Sequence, residues 1–168
     1  MAGLVGSEMC IRDRKKISYQ GELGAYSHLA CKEAMTDYES VPCRTFEAAL
    51  NCVREDKADL AMIPVENSVA GRVADIHYLL GDYDLKIYAE HFQEVKHQLL
   101  AKKGTTIDEI KFVRSHSMAI GQCQSAIQRL NLTPIVMADT AGSAKYTSEI
   151  GTNEDSAIAS HLAAEIYG

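Results

Sequence analysis

An α/β fold in two lobes, with a cleft between them, is what this 168-residue sequence predicts. Three observations lead there. Apolar runs of strand length alternate with stretches of helical period, the pattern of parallel strands covered by crossover helices. The alternation occurs twice, separated by one long extended stretch at 84–104. Four strand-to-helix junctions also share a style, each placing Gly, Ser, Thr or Asn where a strand ends and a helix begins. The lobes are drawn at 15–95 and 96–168.

In chain order, "KKISYQG" (15–21) reads as a short strand closed by Gly21, and "AYSHLACKEAM" (25–35) as a helix. "SVPCRT" (40–45) is a second extended piece. Thr45 then caps a helix that carries Phe46, Ala49, Leu50 and Val53 on one face. "ADLAMIPV" (58–65) is a buried strand, expected to run straight into a helix with Val69, Val73, Ile76 and Leu80 along one side. "DLKIYAEHFQEVKHQLLAKKG" (84–104) reads as one or two strands crossing the molecule. "EIKFVRS" (109–115) restarts the alternation, followed by a helix with Ile120, Cys123, Ile127 and Leu130 on its apolar face. "TPIVMAD" (133–139) precedes helical "TAGSAKYTSEI", and "DSAIAS" (155–160) precedes helical "HLAAEIYG". In "MAGLVGSEMCIRDR" (1–14) the positive charges follow a short apolar patch, the reverse of a secretory signal. We read it as a leader foreign to the domain.

Charge and composition exclude several classes. The formal net charge is −6 and no block of Lys or Arg stands out, which argues against nucleic acid or an anionic membrane as partner. No apolar run reaches membrane-spanning length. The five cysteines include no CxxC or zinc-finger spacing, so a reducing, cytoplasmic setting is expected. No HExxH occurs, and His91 and His97 around Glu94 read as a solvated strand end rather than metal ligands. Neither a metal nor an organic cofactor is expected.

The junctions are where chemistry would sit. They are "GELGAYSH" (21–28), "ENSVAG" (66–71), "SHSMAIGQ" (115–122) and "DTAGSAK" (139–145). Helix amino ends gather unpaired N–H groups and positive dipole, and they bind carboxylates and phosphates. In open α/β sheets, ligands lie just outside the carboxyl ends of strands. Any single junction is more often an ordinary cap than a ligand site. Glu66 followed by Asn67 behind an apolar run is more than a cap requires.

Taken together, "YQGELGAYSHLA" (19–30), "ADLAMIPVENSVAGRV" (58–73), "SHSMAIGQC" (115–123), "DTAGSA" (139–144) and "AIASHLAAEIYG" (157–168) closely resemble the catalytic domain of prephenate dehydratases. The likeness runs from about Lys16 to Gly168, in the family's order and spacing. It implies two α/β lobes of the periplasmic-binding-protein type II kind, with the active site in the cleft between them. It also implies the reaction, in which prephenate loses water and carbon dioxide to give phenylpyruvate in phenylalanine biosynthesis. By the same resemblance Asn67, Ser115 and Gln122 are candidate catalytic residues, with Glu66, Ser68, Thr140, Ala141 and Gly142 as substrate-binding positions. The implied partner is a small dianion, and full-length family members commonly form homodimers.

The resemblance has two departures. The family's Thr-Arg-Phe motif, whose threonine is usually assigned to protonating the leaving hydroxyl, does not occur in this sequence. The chain is therefore expected to be a C-terminally truncated catalytic domain, lacking the strand that returns to the first lobe and any phenylalanine-sensing domain. Ser117 also stands where proline is common. Two other activities fit the same residues: dehydration of arogenate, the amino analogue, and clamping of a small anion without chemistry.

Overall fold

A computed structural model describes residues 15–69 and 71–168. The leader, 1–14, lies outside the described residues. Two separate sheets carry most of the chain. The first is parallel, in the order β2 (Glu39–Cys43), β1 (Lys16–Gln20), β3 (Leu60–Met62). Central β1 buries Ile17, Ser18 and Tyr19 in succession, as a strand covered on both faces must. The Ser18 hydroxyl is kept satisfied there by donating to the Ala49 carbonyl at 2.8 Å. Helices α1 (Tyr26–Ala34) and α2 (Phe46–Arg54) supply the crossovers. Thr45 caps α2 as expected, its Oγ1 accepting from the Ala48 N–H, and Ala49 and Leu50 are buried.

Beyond β3 the structure departs from the expected strand-to-helix junction. Glu66–Asn67 (β4) and Gly71–Arg72 (β5) pair antiparallel as a small ribbon, and α3 begins only at Ala74. Val69 is therefore in a turn and 76 % exposed rather than on a helix face, and Val73 is the N-cap residue. The cause is local. Asn67 Oδ1 accepts from the Val69 N–H at 2.9 Å, an Asx turn that competes with helix, and Gly71 takes φ +81°. Ile76 is buried, as expected of the helix.

The long extended stretch is also corrected. Only Gln98–Ala101 forms a strand, β6, and 84–97 pairs with neither sheet. A strand persists only where a partner offers ladder bonds, and β6 has one in β9 (Asp155–Ala159). The second sheet runs β6-β9-β7-β8, with β7 at Phe112–Ser115 and β8 at Thr133–Val136. β6 is antiparallel to β9, and the other pairs are parallel. Every residue of β9 is buried.

The single helix expected after β7 is bent at Cys123 (φ −101°, ψ 9°) into α4 (Ser117–Gln122) and α5 (Gln124–Arg129). Its apolar face still packs as expected, with Ile120, Cys123 and Leu130 against a core of Val113, Ile127, Leu132 and Ile158. On the other face, α6 (Thr140–Glu149) and α7 (His161–Tyr167) meet β9 through Ala144, Ala157, Ala159 and Ala163. Four alanines let these backbones approach closely. Across the strand ends Arg114 and Asp155 pair at 2.7 Å, with the guanidinium 4.8 Å from the Tyr146 ring centre. Burial raises the Asp155 carboxyl, but bonds from Thr152 and the charges of Arg114 and Lys102 outweigh it and hold the group below its ordinary value.

The two sheets touch through the first junction. Ser160 Oγ donates to the Gly24 carbonyl at 2.5 Å and accepts from the Ala163 N–H, capping α7. The Tyr167 hydroxyl donates to the Leu23 carbonyl at 2.9 Å.

Candidate functional site

The four junctions use their polar groups in different ways. In 21–28, the Gly24 N–H donates to His28 Nδ1 at 3.0 Å, so that nitrogen carries no proton and the ring is neutral. Burial, then the charge of Lys32, lowers the pKa of His28, in keeping with that state. The imidazole lies flat on the Tyr19 ring, 5.2 Å between centres. With the Gly24 carbonyl taken by Ser160, this junction is structural.

In 66–71 the polar groups sit on the ribbon. Glu66 and Ser68 are exposed and Asn67 is half-buried, its Oδ1 holding the turn. The helix that follows begins only at Ala74, so these groups lie on a ribbon rather than at a helix amino end, contrary to the helix-dipole expectation for this segment.

In 115–122 Ser115 is fully buried, and its hydroxyl donates to the Ile158 carbonyl at 2.7 Å. The expectation was a donor to a ligand. The proton is committed to the main chain, and the bond ties the end of β7 to β9. Gln122 is exposed at the far end of α4, not at its amino end. Its Oε1 lies 2.7 Å from His97 Nε2, and His97 Nδ1 lies 3.0 Å from the Tyr26 hydroxyl. The Tyr26 and His97 rings meet edge to face, 5.5 Å apart at 78°. Burial, with Cys123 adding to it, pushes the Tyr26 hydroxyl well above its ordinary pKa, so it stays a neutral donor.

In 139–145 Asp139 caps α6, its Oδ1 accepting from the Gly142 N–H at 2.6 Å. The helix end expected to receive a ligand carboxylate already holds one at that N–H. A Cβ on Gly142 would lie 2.8 Å from Asp139 Oδ2, so a side chain there would displace the capping carboxylate. Ala141 is buried and Thr140 is half-buried at the first helical position.

The structure thus joins Gln122 to Tyr26 and to His97, which in sequence reads as part of a solvated strand end and not as a partner of Gln122. Tyr26 lies 71 residues from His97 and Gln122 lies 25 from it, so no spacing rule could have grouped them. Among the described residues no three His, Cys, Asp or Glu side chains could hold a metal. His91 instead meets Gln93 at 3.3 Å and Glu33 at 3.9 Å. Cys43 and Cys52, unrelated by spacing, come within 3.8 Å as free thiols. A groove of about 200 Å³ between β6, α6 and α7, lined by Leu100, Ala144, Thr147 and Tyr167, includes none of the expected site residues.

The fold defines a class: an α/β protein with one parallel three-stranded sheet and one mixed four-stranded sheet, beside a short antiparallel ribbon. The family model for prephenate dehydratase matches residues 17–168, and the chain belongs to that family. It is 45 % identical over 152 residues to a protein of Komagataeibacter europaeus named bifunctional N-acyl-homoserine lactone acylase/prephenate dehydratase, covering 90 % of this chain and 54 % of the relative. It is 38 % identical over 155 residues to arogenate dehydratase/prephenate dehydratase 2, chloroplastic, of Arabidopsis thaliana, covering 92 % and 41 %. Among solved structures, one titled as GqqA, a novel type of quorum quenching acylase, superposes with TM-score 0.86 at 45 % identity, covering 92 % of this chain and 56 % of that one. A prephenate dehydratase from Arthrobacter aurescens in complex with L-Phe gives 0.82 at 28 % identity, covering 90 % and 52 %. The chain spans about half the length of these relatives or less. No helix among the described residues is long and apolar enough to cross a membrane.

Proposed function

We propose that this chain carries most of a prephenate dehydratase catalytic domain, with residues 15–95 and 96–168 forming the two lobes of a periplasmic-binding-protein-like cleft. The observation that carries the reading is the family match over residues 17–168. In this proposal the ribbon at Glu66, Asn67 and Ser68, the Gln122 carboxamide and the Thr140 end of α6 face the ligand. Prephenate bears two carboxylates and must lose a ring hydroxyl. Neutral donors can orient the dianion and support the departing oxygen, and aromatisation supplies the driving force. Ser115 acts through the main chain, by fixing the strand end that precedes α4. The free thiols at Cys31, Cys43, Cys52 and Cys123 suit a cytoplasmic setting.

Arogenate is the second substrate reading, favoured by relatives whose names carry both activities. Deacylation of an N-acyl-homoserine lactone is a third, favoured by 45 % identity to the bifunctional relative. The deciding experiment measures phenylpyruvate from prephenate, phenylalanine from arogenate and lactone deacylation. It compares this chain with a form extended through the family's Thr-Arg-Phe segment. Phenylpyruvate from either form is the expected result. A folded, extended protein that is silent on prephenate overturns the proposal, and turnover of one of the other two substrates replaces it.

A further inference from the structure

Gln122 Oε1 can only accept a hydrogen bond, so the 2.7 Å contact requires a proton on His97 Nε2. In the neutral ring Nδ1 is then an acceptor, and the Tyr26 hydroxyl 3.0 Å away donates to it. The chain of donors runs one way, from Tyr26 through His97 to Gln122. It fixes the carboxamide by its oxygen and leaves both Nε2 hydrogens free. The anchoring ring is itself held, edge to face against Tyr26, and Tyr26 sits on α1, which packs on the first sheet, while Gln122 closes α4 on the second.

We propose that His97 is a positioning residue for Gln122: by taking the carboxamide oxygen it turns the Gln122 N–H₂ outward, as a preset donor to a carboxylate or hydroxyl oxygen of the ligand. The proposal rests on the dehydratase reading for the identity of that ligand, but not for the geometry. An unanchored glutamine rotates between two amide orientations, only one of which offers hydrogens to an anion. Holding it removes that cost at the moment of binding.

The test uses this chain, labelled with ¹⁵N, and prephenate as the probe. Ring nitrogen shifts are expected to show His97 protonated at Nε2 with Nδ1 as acceptor. Prephenate affinity is expected to fall about tenfold in His97→Phe, the worth of one hydrogen bond. It should return to within about threefold in His97→Gln, which restores a donor. Since His97 acts through Gln122, the double variant His97→Phe/Gln122→Ala should bind no worse than Gln122→Ala. An Nδ1–H tautomer, equal losses in His97→Phe and His97→Gln, or additive losses in the double variant would each overturn the proposal. If this folded chain binds no prephenate and the extended form is silent on it too, the dehydratase reading fails. The positioning claim is then decided by the Gln122 side-chain amide signals. One fixed pair that averages in His97→Phe supports it, and a pair indifferent to the substitution overturns it.

Discussion

Two junctions with nearly the same sequence style are built for opposite purposes. "GELGAYSH" ends in a locked contact. The Gly24 carbonyl takes the Ser160 hydroxyl, the Leu23 carbonyl takes Tyr167, and the Gly24 N–H goes to His28. "ENSVAG" stands open, with Glu66, Ser68 and Val69 exposed and nothing within 4 Å of a Cβ placed on Gly71. Both contain a glycine with positive φ, +87° at Gly24 and +81° at Gly71. What separates them is burial: α7 packs on Gly24, while Glu66, Ser68 and Val69 stay exposed. A buried, bonded junction holds the molecule together, and one that exposes Glu66 and Ser68 leaves those side chains open to a ligand.

The sharpest way to break this comparison is to substitute its two glycines alike. Gly24→Ala combines strained φ with a Cβ 2.7 Å from the Ala163 Cα and 2.9 Å from its Cβ. Those are backbone and a buried small side chain, so neither can yield. The expected loss is about 3 kcal/mol, read as a lower midpoint in urea unfolding with unchanged slope. Next in size is Ser160→Ala. It removes the cap of α7 and leaves the buried Gly24 carbonyl unpaired, at a cost of about 2 kcal/mol by the same measurement. Stability indifferent to either change would mean that the two sheets are not joined through this junction.

Much of the fold was legible because it rests on period. The alternation placed β1, β7 and β9 and the apolar face of α4 and α5, where Ile120, Ile127 and Leu130 pack as their spacing requires. The failures have local causes. At 66–72 an Asx turn and a positive-φ glycine outcompeted the helix suggested by Val69 and Val73. At 84–97 an extended composition found no partner strand. The site was less legible still. Hydroxyl and carboxylate residues at strand ends look alike in sequence whether they meet a ligand or the main chain. Only coordinates assign Ser115 to the Ile158 carbonyl and Asp139 to the Gly142 N–H. The Tyr26–His97–Gln122 chain joins three segments distant in sequence, and no local rule reaches across them.

The open junction supplies the smaller effects. Gly71→Ala has the same φ strain as Gly24→Ala but no clash, so it should cost about 1 kcal/mol. A loss equal to that of Gly24→Ala would show that the ribbon is packed after all. Asn67→Asp should change stability least, by about 0.5 kcal/mol or less, because a carboxylate oxygen can still accept from the Val69 N–H and keep the turn. The substitution does replace the amide's hydrogens with a negative charge. If the ribbon faces a dianion, prephenate affinity should fall at least about tenfold in a protein that unfolds almost as wild type does, and calorimetric titration beside urea melts reads both quantities. Asn67→Ala removes the donor without adding charge but also removes the Oδ1 that holds the turn, so the urea melt tells loss of the turn from loss of the donor. It should bind more tightly than the aspartate variant yet more weakly than wild type. Equal affinity in all three proteins would take the ribbon out of the site, and the distinction between a locked and an open junction would then describe folding alone.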